Sequence, residues 1–71
     1  MNKKDVGAQI KKYREKAGLT QSQLALACDL KGKSIIYKYE KGDRMPDIET
    51  TLPKICKALN ISFEIIFKEV N

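Results

Sequence analysis

LTQSQLALACDLKGKSIIYKYEKGDRMP, residues 19 to 46, is the stretch that decides the fold. It reads as two short amphipathic helices, a tight turn between them, and a basic loop after the second. Thr20 is a natural N-cap, and Gln23, three residues on, can reach back to the Thr20 backbone N–H. That is the T-x-x-Q form of a capping box. From about Gln21 to Cys28, residues Leu24, Ala25, Ala27 and Cys28 supply a narrow apolar face of small side chains, so another helix can approach closely. Gly32 and Lys33-Ser34 announce the next helix, over about Lys33 to Tyr39, with Ile36 and Tyr39 at i, i+3 spacing toward the core. Lys33, Ser34, Tyr37 and Lys38 are left on its other side. A helix that hides its apolar edge and presents two lysines, a serine and a tyrosine calls for an anionic partner with hydrogen-bonding edges. Duplex DNA meets that description.

Outward from this stretch the periodicity stays helical. Val6, Ile10, Tyr13 and Ala17 fall on one face of a helix over residues 4–16, and Gly18 follows as its C-cap. Beyond the exposed loop Asp43-Arg44-Met45-Pro46, a fourth helix is expected with Thr51 as N-cap and Pro53 in its first turn, where a missing N–H does no harm. Leu52, Ile55, Cys56 and Leu59 turn to the core, and Ile48 is expected to pack as a loop residue. Asn60 ends this helix, and Ser62 caps a fifth over Phe63 to about Phe67. There is no strand alternation, repeat or linker. The expectation is an all-α, compact five-helix single domain over residues 1–71, with the helix-turn-helix core at 20–40.

The ordered set LTQSQLA, then SIIYKYEKG, then DRMP resembles the phage repressor and Cro-type (XRE-like) helix-turn-helix family, a lambda-repressor-like DNA-binding fold. Thr20, Gln21, Leu24, Ala25, Ile36, Tyr39, Glu40, Gly42, Arg44 and Pro46 carry the resemblance, supported by Ile10, Arg14, Ile55, Ala58 and Leu59. It covers roughly residues 6 to 67. The resemblance implies that the 33–39 helix lies in the major groove with Lys33, Ser34, Tyr37 and Lys38 as base readers. It implies that Gln21 clamps a phosphate at the start of its helix, with Lys31, Lys41 and Arg44 meeting neighbouring backbone. Arg14 and Glu40 are expected to form a partly buried ion pair. The turn Asp29-Leu30-Lys31-Gly32 departs from the family by one extra residue. Leu30 is expected to plug the core there and Gly32 to accommodate the insertion.

Composition narrows the function. A chain of 71 residues buries only about 60–65% of its unfolded surface, which leaves one small core and no internal pocket. Six basic and two acidic residues lie in 1–17, and five and two in 31–44, against three and four in 45–71. The net charge of +5 is thus concentrated on the first helix and the recognition segment, the distribution expected of a nucleic-acid binder. There is no histidine and no C-x-x-C, so zinc lacks ligands, and no metal, cofactor or small-molecule ligand is expected. Cys28 and Cys56 are expected to be buried free thiols. No apolar run approaches a membrane span and no signal peptide opens the chain, so a cytoplasmic protein is expected.

The tail Phe63-Glu64-Ile65-Ile66-Phe67-Lys68-Glu69-Val70 is too apolar for a free end. Ile65, Ile66 and Val70 are expected to form a homodimer interface, which would set two recognition helices one DNA turn apart (~34 Å) on a palindrome. The leading expectation is a dimeric transcriptional regulator acting as a repressor. The competing one is an antitoxin-like protein-interaction module that uses the same C-terminal edge on a protein partner. An enzyme is rejected, since there is no histidine, no cysteine with an adjacent base, no metal cluster and no glycine-rich phosphate loop after a strand.

Overall fold

Asn2 starts the first helix by accepting the Asp5 N–H on its side-chain oxygen at 2.9 Å, and the chain then stays helical over α1, Lys3–Lys16. The computed structural model describes residues 2–68. The helices that follow are α2, Gln21–Ala27; α3, Lys33–Lys41; α4, Thr51–Leu59; and α5, Phe63–Ile66. Among the described residues there is no strand, and no helix is long and apolar enough to cross a membrane.

The core is built where α1 crosses α3. Val6 and Ile10 of α1, Leu24, Ala25 and Cys28 at α2, and Ile36 and Tyr39 of α3 pack with Leu52, Ile55, Cys56 and Leu59 of α4. Gly7 makes the crossing possible. A Cβ there would sit 2.1 Å from the Tyr39 carbonyl oxygen and 2.9 Å from that of Glu40. Gly42 serves twice, since it takes φ +84° to end α3 and a Cβ there would run into Lys4 of α1. Burial raises the pKa of both thiols, so Cys28 and Cys56 stay protonated at neutral pH.

Three helices end on the same device. After α1, α2 and α4, a left-handed residue (Gly18, Asp29 and Asn60) precedes an apolar one (Leu19, Leu30 and Ile61). The N–H of each apolar residue returns to a carbonyl five residues back, that of Arg14, Ala25 or Cys56, at 2.9–3.1 Å. This is the Schellman arrangement with its hydrophobic contact, and the three apolar residues pack on the core edge. In the turn after α2 the left-handed residue is therefore Asp29, at φ +57°. Gly32, expected to absorb the insertion, is instead the extended N-cap of α3 at φ 172°, a conformation open to any residue.

Other positions depart from expectation for identifiable reasons. Ala17 is exposed because α1 runs past the edge of the core, and Ala27 lies off the face that Leu24, Ala25 and Cys28 share. The N-cap of α4 is Thr50 rather than Thr51, and its side chain makes no capping hydrogen bond. The turn before it is held by Asp47, whose carboxylate accepts the Glu49 and Thr50 N–H groups, each at 2.9 Å. Ile48 is pushed outward on that turn and is 50% exposed. Ser62 stands at the start of α5, but its side chain makes no capping hydrogen bond. Because α5 is a single turn, Ile66 enters the core with no exposed surface while Phe63 remains partly outside, its ring 5.1 Å from that of Phe67. Ile66 is thus a core residue, not an interface residue. Ile65 is half-buried, and Val70 lies outside the described residues. Gln9, which the sequence did not single out, is 3% exposed; its side-chain N–H donates to the Ile65 carbonyl at 2.9 Å and ties α5 to α1.

Candidate nucleic-acid interface

The α3 surface follows from its periodicity. At 3.6 residues per turn, positions 33, 34, 37, 38 and 41 fall within about 140° of the helix circumference. Lys33, Ser34, Tyr37, Lys38 and Lys41 are all exposed, whereas Ile36 and Tyr39 on the other side are buried. Tyr37 keeps half of its surface in solvent, and the Lys41 ammonium stands 5.8 Å from its ring centroid. Lys41 also lies 3.7 Å from the Asp43 carboxylate, with both side chains well exposed, so the pair is weak and screened.

What holds this surface is a polar junction of three helices. Arg14 Nε–H donates to Glu40 Oε2 at 2.6 Å and Nη2–H to Oε1 at 3.1 Å, while Nη1–H donates to the Leu19 carbonyl at 2.7 Å. The Gln21 side-chain N–H adds a bond to Glu40 Oε1 at 3.1 Å. The Arg14 and Glu40 side chains retain only 11% and 4% of their surface, so the carboxylate is nearly desolvated and all its compensation comes from these donors. Hydrogen bonding to Glu40 raises the Arg14 pKa above its already high usual value. The junction joins α1, the start of α2 and the C-terminal half of α3. The start of α2 is fixed by the full capping box, with Thr20 Oγ1 accepting the Gln23 N–H at 3.0 Å and Gln23 Oε1 accepting the Thr20 N–H at 2.8 Å.

The arrangement sorts the expected site residues. Gln21, Tyr37 and Lys41 share an open hollow of about 190 Å³ with Glu40 and with Lys11 of α1. The Gln21 amide is already committed to Glu40, so what this hollow presents to an anion is mainly the two lysines and the tyrosine hydroxyl. Lys11 carries no motif; its signal in the sequence was only its place in the basic first helix. Lys31 and Lys33 stand together over a second hollow at the turn, beside Leu26 and Leu30. Ser34, Lys38 and Arg44 are exposed and line neither hollow. Among the described residues no cluster of three or more candidate metal ligands occurs.

Comparisons with known proteins agree on one fold. The helix-turn-helix family model HTH_3 matches residues 10–66. The clp gene regulator ClgR of Corynebacterium glutamicum superposes with a TM-score of 0.83 at 23% identity, over 92% of this chain and 82% of that one. The restriction-modification controller protein C.AhdI of Aeromonas hydrophila gives 0.84 at 26% identity, over 92% and 96%. An HTH_3 family transcriptional regulator of Vibrio cholerae gives 0.81 at 31% identity, over 92% of this chain and 35% of that longer one. No curated protein sequence matches.

Proposed function

This chain belongs to the helix-turn-helix family HTH_3, and from that premise we propose that it represses transcription as a homodimer on a palindromic DNA operator. The family is one of DNA-binding regulators rather than enzymes. The observation that carries the reading is the exposed stripe of Lys33, Ser34, Tyr37 and Lys38 on a helix whose opposite side is core. Lysine donates to guanine O6 and N7, serine pairs with several bases, and tyrosine meets a thymine methyl or a phosphate. Around that stripe, Lys11 and Lys41 flank one side, Lys31 the turn and Arg44 the following loop, each able to meet a backbone phosphate. Gln21 bridges this surface to the Glu40 junction and sets where the start of α2 meets the backbone.

The dimer is proposed through α5. Phe63, Ile65 and Phe67 keep apolar surface exposed at one edge. A two-fold contact there would repeat the α3 stripe on successive turns of one DNA face (~34 Å). Occupying an operator and excluding polymerase would suffice for repression.

Selection of random duplexes on the purified protein at about 150 mM salt, followed by sequencing, tests this. Recovery of a palindrome with half-sites one turn apart is the expected result. Weak, sequence-blind retention would contradict it and favour the module that uses the α5 edge on a protein partner.

A further inference from the structure

The most exposed large apolar side chain among the described residues lies on neither of these surfaces. Leu26, on the outer side of α2, leaves 81% of its surface in solvent. Beside it, a hollow of about 280 Å³ is floored by Ala25 and Leu30 and rimmed by Lys31 and Lys33. Next along α2, from Ala27, a second hollow of about 500 Å³ runs across to Ala58 of α4, with Lys54 and Lys57 on its border and Asp29 at the helix end. Since α2 packs against both α3 and α4, the α4 side of this face turns away from the base-reading stripe.

We propose that this face of α2 and α4 docks an acidic amphipathic segment of another protein. An apolar side chain of the partner would lie against Leu26 and Leu30, and its carboxylates would meet Lys54 and Lys57. The patch itself selects the occupant. On the α4 side one carboxylate, that of Asp29, stands with Lys54 and Lys57, and the hollow beside Leu26 is bordered by Lys31 and Lys33 of the DNA-facing surface, so an anionic chain is favoured. A second copy of this protein is disfavoured, because a two-fold contact would bring lysines against lysines on a chain of net charge +5. Duplex DNA would satisfy the lysines but leave Leu26 facing a sugar–phosphate backbone. An acidic helix satisfies both, in the manner of an amphipathic segment laid into a groove. The proposal does not depend on which DNA sequence α3 reads, and a partner held here could be carried while the stripe is occupied.

The test is selection of displayed random peptides of about 12 residues on the full chain, run with and without excess random duplex to occupy the DNA surface. The proposal predicts enriched peptides in which carboxylates flank leucine, isoleucine or phenylalanine. Leu26→Ser, at an exposed position where the fold is unaffected, should weaken their binding about tenfold. The double variant Lys54→Glu/Lys57→Glu should weaken it further, while Leu26→Ser leaves duplex binding within about twofold. The inference is overturned if no peptide enriches. It is equally overturned if the enriched acidic peptides are displaced by duplex and indifferent to Leu26→Ser, which would make them DNA mimics. Peptides that depend on Phe63 instead would assign the partner to α5 and overturn it as well.

Discussion

Glu40 fastens three helices through one carboxylate, and that gives it a testable weight. Arg14→Met would leave Glu40 nearly buried with the Gln21 amide as its one remaining side-chain donor. The expected loss is about 3 kcal/mol in urea unfolding, because a stranded charge is costlier than a missing pair. Gln21→Ala should lose about 1 kcal/mol, since the arginine remains. Gly7 makes the opposite point about propensity. Alanine is the better helix former by about 1 kcal/mol, yet Gly7→Ala should destabilise by about 2 kcal/mol or more, because the added methyl meets backbone carbonyls that cannot swing aside. A Tm rise for Gly7→Ala would contradict the close crossing of α1 and α3. At this scale legibility divides by chemistry. Arg14 and Glu40 were readable because two opposite charges stand at positions the family resemblance pairs. Gly7 and Gln9 were not, since one is silent in a hydrophobic pattern and the other reads as an ordinary surface amide.

At the scale of elements, the apolar spacings located all five helices, because a core-facing side chain must recur with the helical period. The ends were less legible, and the α2–α3 turn shows why. Glycine is the residue expected at a left-handed position, so Gly32 drew the assignment; in the structure Asp29 takes that conformation, and Leu30 behind it reaches the core. The cap of α4 was legible to within one residue: Thr51 was expected, Thr50 takes the position without a side-chain hydrogen bond, and Asp47 accepts two N–H groups, those of Glu49 and Thr50, in the turn before it. Those N–H groups, Thr50's first, and the Thr50 hydroxyl hold the Asp47 carboxyl below its ordinary pKa. A depressed pKa means that the contribution is complete above the ordinary aspartate value, about 3.9, and is lost as pH falls through the lower folded value. Asp47→Ala should therefore lower the Tm at neutral pH, with the gap from the parent protein closing below about pH 4. A gap that persists unchanged in strong acid would show that Asp47 acts by something other than its charge.

At the scale of the molecule, the five short helices of the described residues leave little interior, so what the protein binds meets it on the outside. The outside is divided: a basic stripe on α3 with lysines on either flank, an apolar edge at α5, and Leu26 exposed on α2, with Lys54 and Lys57 of α4 bordering the hollow further along that helix. The exposure of the stripe was legible from the i, i+3 spacing of Ile36 and Tyr39, because burying those two leaves Lys33, Ser34, Tyr37 and Lys38 no other direction. The α5 edge was only half legible: the excess of apolar residues was plain, but one turn of helix turned Ile66 inward and Phe63 outward. The central claim is that the stripe reads bases and does not merely neutralise phosphates. The most direct measurement is the ratio of affinities for the selected palindrome and for a scrambled duplex, taken at several salt concentrations, for the parent chain and for Lys33→Ala/Lys38→Ala. The account predicts that the double variant stays folded and loses at least about tenfold in that ratio, because the discriminating contacts are gone. A ratio left intact while both affinities fall together, with a shallower salt slope, would contradict it and place the two lysines on the DNA backbone.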